Sequence, residues 1–190
     1  FDTGNENAHM DSTTAADIGL KTVKFQEVHC TGGESYIPVV VCDYFLGDLQ
    51  LCNVETTTGL MHNYSRILRR RIDGIIGQDI MKNHIIKLDF DSNIMEIHPM
   101  SYQYKAMGDK LEIKSRGPTI HAKVIMRNGQ IIEGDFIVDT GSNSSLTLNS
   151  GYTDTTILKE LIGEYKIYNT YDMCGNVQIE YEGKAKNLII

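Results

Sequence analysis

The sequence has no apolar run approaching the roughly 20 residues that a membrane-spanning helix needs, and its first residues carry neither a basic start nor an apolar signal core. No membrane span is therefore expected in this stretch. It also lacks positive charge in excess: 18 Lys and Arg stand against 25 Asp and Glu, for a net charge of −7. Nucleic acid is accordingly not an expected partner, because phosphate backbones are gripped by basic faces. Arg69, Arg70 and Arg71 break the pattern and read as a solvated flank ahead of an apolar run. Cysteine is scarce. Cys30, Cys42, Cys52 and Cys174 are scattered and lack the close pairs of a zinc or redox site, so buried free thiols are the default. A hairpin turning at Gly47 and Asp48 would bring Cys42 and Cys52 almost opposite one another, which leaves a disulfide open there. G-x-S-x-G, P-loop and H-E-x-x-H patterns are all missing, and the six histidines share no ligand spacing. Asp89-x-Asp91-x-Asn93 has Ile94 where a calcium loop needs glycine and Met100 where it needs glutamate. No metal is expected.

What the chain does contain is a succession of short apolar or alternating runs divided by Gly, Asn, Asp and Ser clusters. Strands are expected at 36–45, 49–55, 85–90, 94–98, 120–127 and 131–138. Asn128-Gly129 predicts a type I′ hairpin turn, and Asp91-Ser92-Asn93 turns another strand pair. Helices are expected only at 13–20, capped by Ser12 or Thr13, and at 155–162, capped by Asp154 and ended by Gly163. The fold class is mainly β. Residues 105–117 are weakly periodic and read as a connector between a first unit, 1–104, and a second, 118–190.

One short motif occurs twice: Phe1-Asp2-Thr3-Gly4-Asn5 and Val138-Asp139-Thr140-Gly141-Ser142. In each the aspartate leaves a strand end at a turn-permitting tripeptide. Two carboxylates brought within hydrogen-bonding distance share one proton, and such a pair can hold and activate a water for attack on an amide carbonyl. Each glycine would let the two loops approach back to back, and each threonine hydroxyl would bond to the facing loop. Ser142 is expected to hydrogen-bond the outer oxygen of Asp139. His9, near the first copy, reads as a surface residue.

On these residues the chain resembles the aspartic peptidase superfamily, specifically bacterial retropepsin-like or pepsin-like proteins with two lobes on one chain. Asp73-Gly74-Ile75-Ile76-Gly77-Gln78-Asp79 extends the resemblance: members place two apolar residues and a glycine on a strand passing under the catalytic loop. The resemblance implies acid-protease β-barrel lobes, catalytic Asp2 and Asp139, and loop support from Thr3, Gly4, Asn5, Thr140, Gly141 and Ser142. It further implies a strand through Ile75, Ile76 and Gly77 beneath the loop, and a flap at Gly32 and Gly33. The implied activity is endopeptidase cleavage of a peptide or protein held extended between the lobes. Water is the nucleophile and no cofactor is needed.

Asn5 departs from the small hydroxyl or alanine usual after the first motif. The alternative reading is a catalytically inactive peptide-binding or scaffold protein of the same fold. Ile75 lies 73 positions after Asp2, and the same offset from Asp139 falls near position 212. The expectation is a fragment lacking the start of the first lobe and the end of the second. The compartment is open, with export favoured.

Overall fold

The structure, a computed structural model, describes residues 1–30, 33–105, 112–114, 117–142, 144–148, 155–171 and 176–190. The chain is mainly β, with three short α-helices among the described residues. After the loop that holds Asp2 come β1 (His9–Asp11), α1 (Ser12–Asp17), β2 (Lys24–Cys30), β3 (Gly33–Leu46) and β4 (Leu49–Gly59). Helix α2 (His62–Ile67) leads to β5 (Gly74–Ile75), which completes a five-stranded sheet of order β2-β3-β4-β1-β5. Strand β1 runs parallel to β4 and antiparallel to β5, so it is an inner strand. A 3-10 turn (Gln78–Lys82) then feeds the hairpin of β6 (His84–Asp89) and β7 (Ile94–Pro99).

The second unit contains β8 (Glu112–Lys114), β9 (Gly117–Ile125), β10 (Ile131–Ile137), a 3-10 turn (Thr155–Ile157), α3 (Leu158–Ile162), β11 (Lys166–Tyr171), β12 (Val177–Glu182) and β13 (Asn187–Ile189). Strand β9 is paired by β10 and β13 and also by β8, while β11 and β12 form a separate hairpin. The expected barrels are not found among the described residues. Barrel closure requires the two outermost strands to pair, and here β2 and β5 remain the ends of an open path. Part of the stretch read as a connector is β8, paired to β9 with Lys114 opposite Gly117; residues 106–111, 115 and 116 lie outside the described set.

Alternation builds each core. On β9, Ala122 and Val124 point inward while His121 and Lys123 point out; Val124 joins Met126, Ile132 and Leu161 in the second core. In the first unit Ile37, Val39, Val40, Met61 and Ile80 are buried. Strand β4 also buries Thr56, Thr57 and Thr58, which is tolerated because their hydroxyls are bonded: Thr57 donates to the Ala8 carbonyl and Thr58 to that of Pro38. No helix among the described residues is long and apolar enough to cross a membrane.

Four local expectations need correction. The Asn128-Gly129 turn is not type I′, because only Gly129 has positive φ (91°); the Asn128 side chain instead accepts the Gln130 N–H at 2.9 Å. Helix α1 begins one residue after its true cap, Asp11, rather than at Thr13. Helix α3 is only the last turn of the predicted 155–162, although Gly163 does end it; Asp154 is outside the described residues. Cys42 lies opposite Val54 across a bulge, so it and Cys52 are out of register, and both are free thiols. Cys174 and the Cys30 side chain are outside the described set.

Asp11 ties this unit together. One carboxylate oxygen caps α1 by accepting from Thr13 and Thr14, and the other accepts the Met61 N–H at 2.9 Å. Partial burial pushes its pKa up, but the amides of Met61, Thr14 and Thr13 outweigh this and leave it lowered. Its stabilising contribution is therefore present above the ordinary value of 3.8 and lost as pH falls through the lowered folded value. Asp11→Ala is expected to cost about 1–3 kcal/mol of unfolding free energy at neutral pH, measured by denaturant titration, with the deficit shrinking in acid.

Candidate active site

The two repeated loops meet face to face. Thr3 and Thr140 exchange hydrogen bonds reciprocally: the Thr3 N–H donates to Thr140 Oγ1 at 3.1 Å, and the Thr140 N–H donates to Thr3 Oγ1 at 3.0 Å. Each hydroxyl sends its own proton to the residue before the opposing aspartate. Thr3 Oγ1 donates to the Val138 carbonyl at 2.6 Å, and Thr140 Oγ1 donates to the Phe1 carbonyl at 3.2 Å. A hydroxyl has one proton, so the 3.4 Å approach of the two Oγ1 atoms is a consequence of the crossing rather than a further bond. Thr3 is 6% exposed, which removes water as a competitor for these groups.

Within each loop the aspartate is held locally and alike. The Gly4 N–H donates to Asp2 Oδ1 at 2.8 Å, and the Gly141 N–H donates to Asp139 Oδ1 at 2.8 Å. The Asn5 N–H reaches the Asp2 carbonyl and the Ser142 N–H that of Asp139, both at 3.4 Å. Glycine is required twice by proximity: a Cβ on Gly4 would sit 2.5 Å from Asp139 Cγ, and a Cβ on Gly141 would collide with the Asp2 carboxylate. Each carboxylate thus lies over the other loop's glycine, which sets the two side chains close enough for each charge to act on the other.

That contact sets the electrostatics. Burial raises the Asp2 pKa most; the Gly4 amide opposes this, the charge of Asp139 and its hydrogen bond raise it further, and the Asn5 amide lowers it again. The net direction is upward from 3.8. Asn5 thus acts on Asp2 through its backbone. Ser142 does not serve Asp139 as expected, because its hydroxyl donates to the Ser144 carbonyl at 3.5 Å and accepts the Ser144 N–H at 3.1 Å.

Ile75, Ile76 and Gly77 underlie the first loop, though the strand β5 ends at Ile75. The Asp2 N–H donates to the Ile76 carbonyl at 2.9 Å, and Gly77 passes so close that a Cβ would stand 2.7 Å from the Asn5 carbonyl. Of the expected flap, Gly33 opens β3 opposite Cys30, and Gly32 lies outside the described residues. His9 is not a surface residue. It is 5% exposed on β1, and since Thr57 spends its proton on Ala8, His9 donates from Nδ1 to Thr57 Oγ1 at 2.8 Å. Burial lowers its pKa despite the nearby Asp11. It props the sheet behind the loop and takes no part in the carboxylate pair.

Gln78 is the residue that sequence reasoning passed over. Its N–H donates to the Asn5 carbonyl at 2.8 Å and its side-chain amide to the Thr3 carbonyl at 2.6 Å. Its position directly after Gly77 was the available signal.

The raised Asp2 pKa has a thermodynamic consequence. A carboxyl whose pKa is raised by folding subtracts stability as pH climbs from its unfolded value, near 3.8, through the folded one. Asp2→Asn keeps an acceptor for Gly4 and removes the charge, so the variant is expected to melt at a higher temperature than the parent at neutral pH, with the gain vanishing below about pH 3.8. Calorimetry across that range reads it directly. No family model, curated protein or solved structure matches the chain.

Proposed function

We propose that this chain carries both catalytic loops of an aspartic endopeptidase, its two units being the lobes of a retropepsin-like or pepsin-like protein. The observation that supports this best is the reciprocal Thr3–Thr140 exchange, which holds the Asp2 and Asp139 carboxylates on facing loops, each against the other loop's glycine. A pair of structural turns would have no reason to fix two carboxylates against each other, since their mutual repulsion opposes folding.

In this reading the pair holds one proton and one water. The ionised member of the pair accepts a proton from the water as the water oxygen bonds to the scissile carbonyl carbon, and the protonated member gives its proton to the carbonyl oxygen. The resulting geminal diol collapses: the C–N bond breaks, a proton passes to the leaving nitrogen, and a carboxylic acid and an amine are released. The chemistry draws on the two carboxyls and water alone. The substrate is an extended peptide or protein segment lying across the dyad.

Asp139→Asn is nearly isosteric, yet it can neither act as a base nor share the proton. Hydrolysis of a diverse peptide pool by the full-length protein, read by mass spectrometry, is expected to fall by roughly two to four orders of magnitude in this variant, with peptide binding retained. Activity in the unmutated protein should also decline as pH rises and the pair loses its last proton. Equal cleavage by both forms would overturn the dyad. Peptide binding with no cleavage by either form would favour an inactive binding protein of the same fold.

A further inference from the structure

The Thr3–Gly4 peptide unit is bonded at both ends. Its carbonyl accepts from the Gln78 side-chain amide at 2.6 Å, and its N–H donates to Asp2 Oδ1 at 2.8 Å. The Gln78 amide is wedged at the seam between the units: a Cβ on Gly117, at the start of β9, would sit 2.6 Å from Gln78 Nε2 and 2.9 Å from the Thr3 carbonyl oxygen. Gly117 also has φ +115°, so the close passage of β9 past this amide is built on a residue without a side chain. The Gln78 backbone N–H meanwhile holds the Asn5 carbonyl, so a single residue grips both sides of Gly4.

We propose that Gln78 is a positioning residue for Asp2: by donating to the Thr3 carbonyl it fixes and polarises the Thr3–Gly4 peptide, strengthening the Gly4 N–H bond to the Asp2 carboxylate. Hydrogen bonds in series polarise one another, so a donor on the carbonyl makes the N–H of the same peptide a better donor. The titratable group facing Asp2 is Asp139, from the opposite loop; Ile76 and Gln78 beneath it and Thr140 beside it are neutral. Weakening the Gly4 bond withdraws a contact that favours the ionised form, and Asp2 then ionises at higher pH. The inference rests on the peptidase reading for its catalytic meaning and stands apart from it in its measurement.

The test compares the full-length protein with Gln78→Met, which keeps the length and removes the donor, and with the milder Gln78→Asn, whose amide falls short of the Thr3 carbonyl. Carbon-13 NMR of the Asp2 carboxyl and the proton shift of the Gly4 amide are followed through a pH titration. Expected are an upfield move of the Gly4 amide proton and a higher Asp2 midpoint in both variants. Under the peptidase reading these accompany a roughly five- to tenfold lower kcat with KM unchanged, the worth of about one hydrogen bond. An unmoved Gly4 proton and Asp2 midpoint in a folded Gln78→Asn protein would overturn the proposal, whatever happens to its melting temperature. A shifted midpoint in a protein that cleaves no peptide would uphold the positioning role and defeat the peptidase reading.

Discussion

The rest of the site depends on the crossed exchange between Thr3 and Thr140. Each threonine gives its hydroxyl proton to the residue before the opposing aspartate and receives the amide of the opposing threonine, so neither loop can shift without breaking bonds in the other. The exchange brings residues 137 positions apart into one rigid unit, and it works only because Gly4 and Gly141 leave room for the carboxylate above each. Beneath the first loop, Ile76 and Gln78 fix the height of the loop by bonding its backbone at Asp2, Thr3 and Asn5.

This arrangement runs against the ordinary electrostatic preference. Two carboxyls in contact, one of them half-buried, are destabilising when both ionise, and the raised pKa of Asp2 expresses that cost. The scaffold offsets it with fixed backbone donors: Gly4 and Asn5 at Asp2, Gly141 at Asp139. Strain of this kind, concentrated on loops and borne by well-packed sheets, is where chemistry is ordinarily found. Asp11 and His9 belong to the bearing structure. The first stitches α1 to the start of α2, and the second lies buried on the inner strand directly behind the loop.

The legible part of the site was the part written in local chemistry. A strand end followed by Asp-Thr-Gly specifies a self-bonded carboxylate whatever surrounds it, and two copies point to their juxtaposition. Ile75-Ile76-Gly77 was legible for a similar reason, since an apolar strand ending in glycine marks a close backbone passage. What was not legible depended on tertiary context. Strand β1 is three residues long and covered on both sides, so His9 sits in no alternation that would reveal its burial. Helix α2 has no side-chain cap and buries no residue, which leaves no periodic signature. Strand β12 does alternate, as Val177-Gln178-Ile179-Glu180-Tyr181-Glu182, a signal that sequence reasoning passed over. Ser142 was expected to bond Asp139, whereas its hydroxyl turns toward Ser144, and Asn5 acts on Asp2 through its backbone amide.

The central claim is that Asp2 and Asp139 act on each other as one titrating pair. It is tested most directly by following the Asp2 carboxyl carbon by NMR from acid to neutral pH in the parent protein and in Asp139→Asn. The account predicts that Asp2 ionises above the ordinary value of 3.8 in the parent and at lower pH in the variant, because the repelling charge is gone while burial and the Gly4 and Asn5 amides remain. An Asp2 midpoint identical in the two proteins would contradict it.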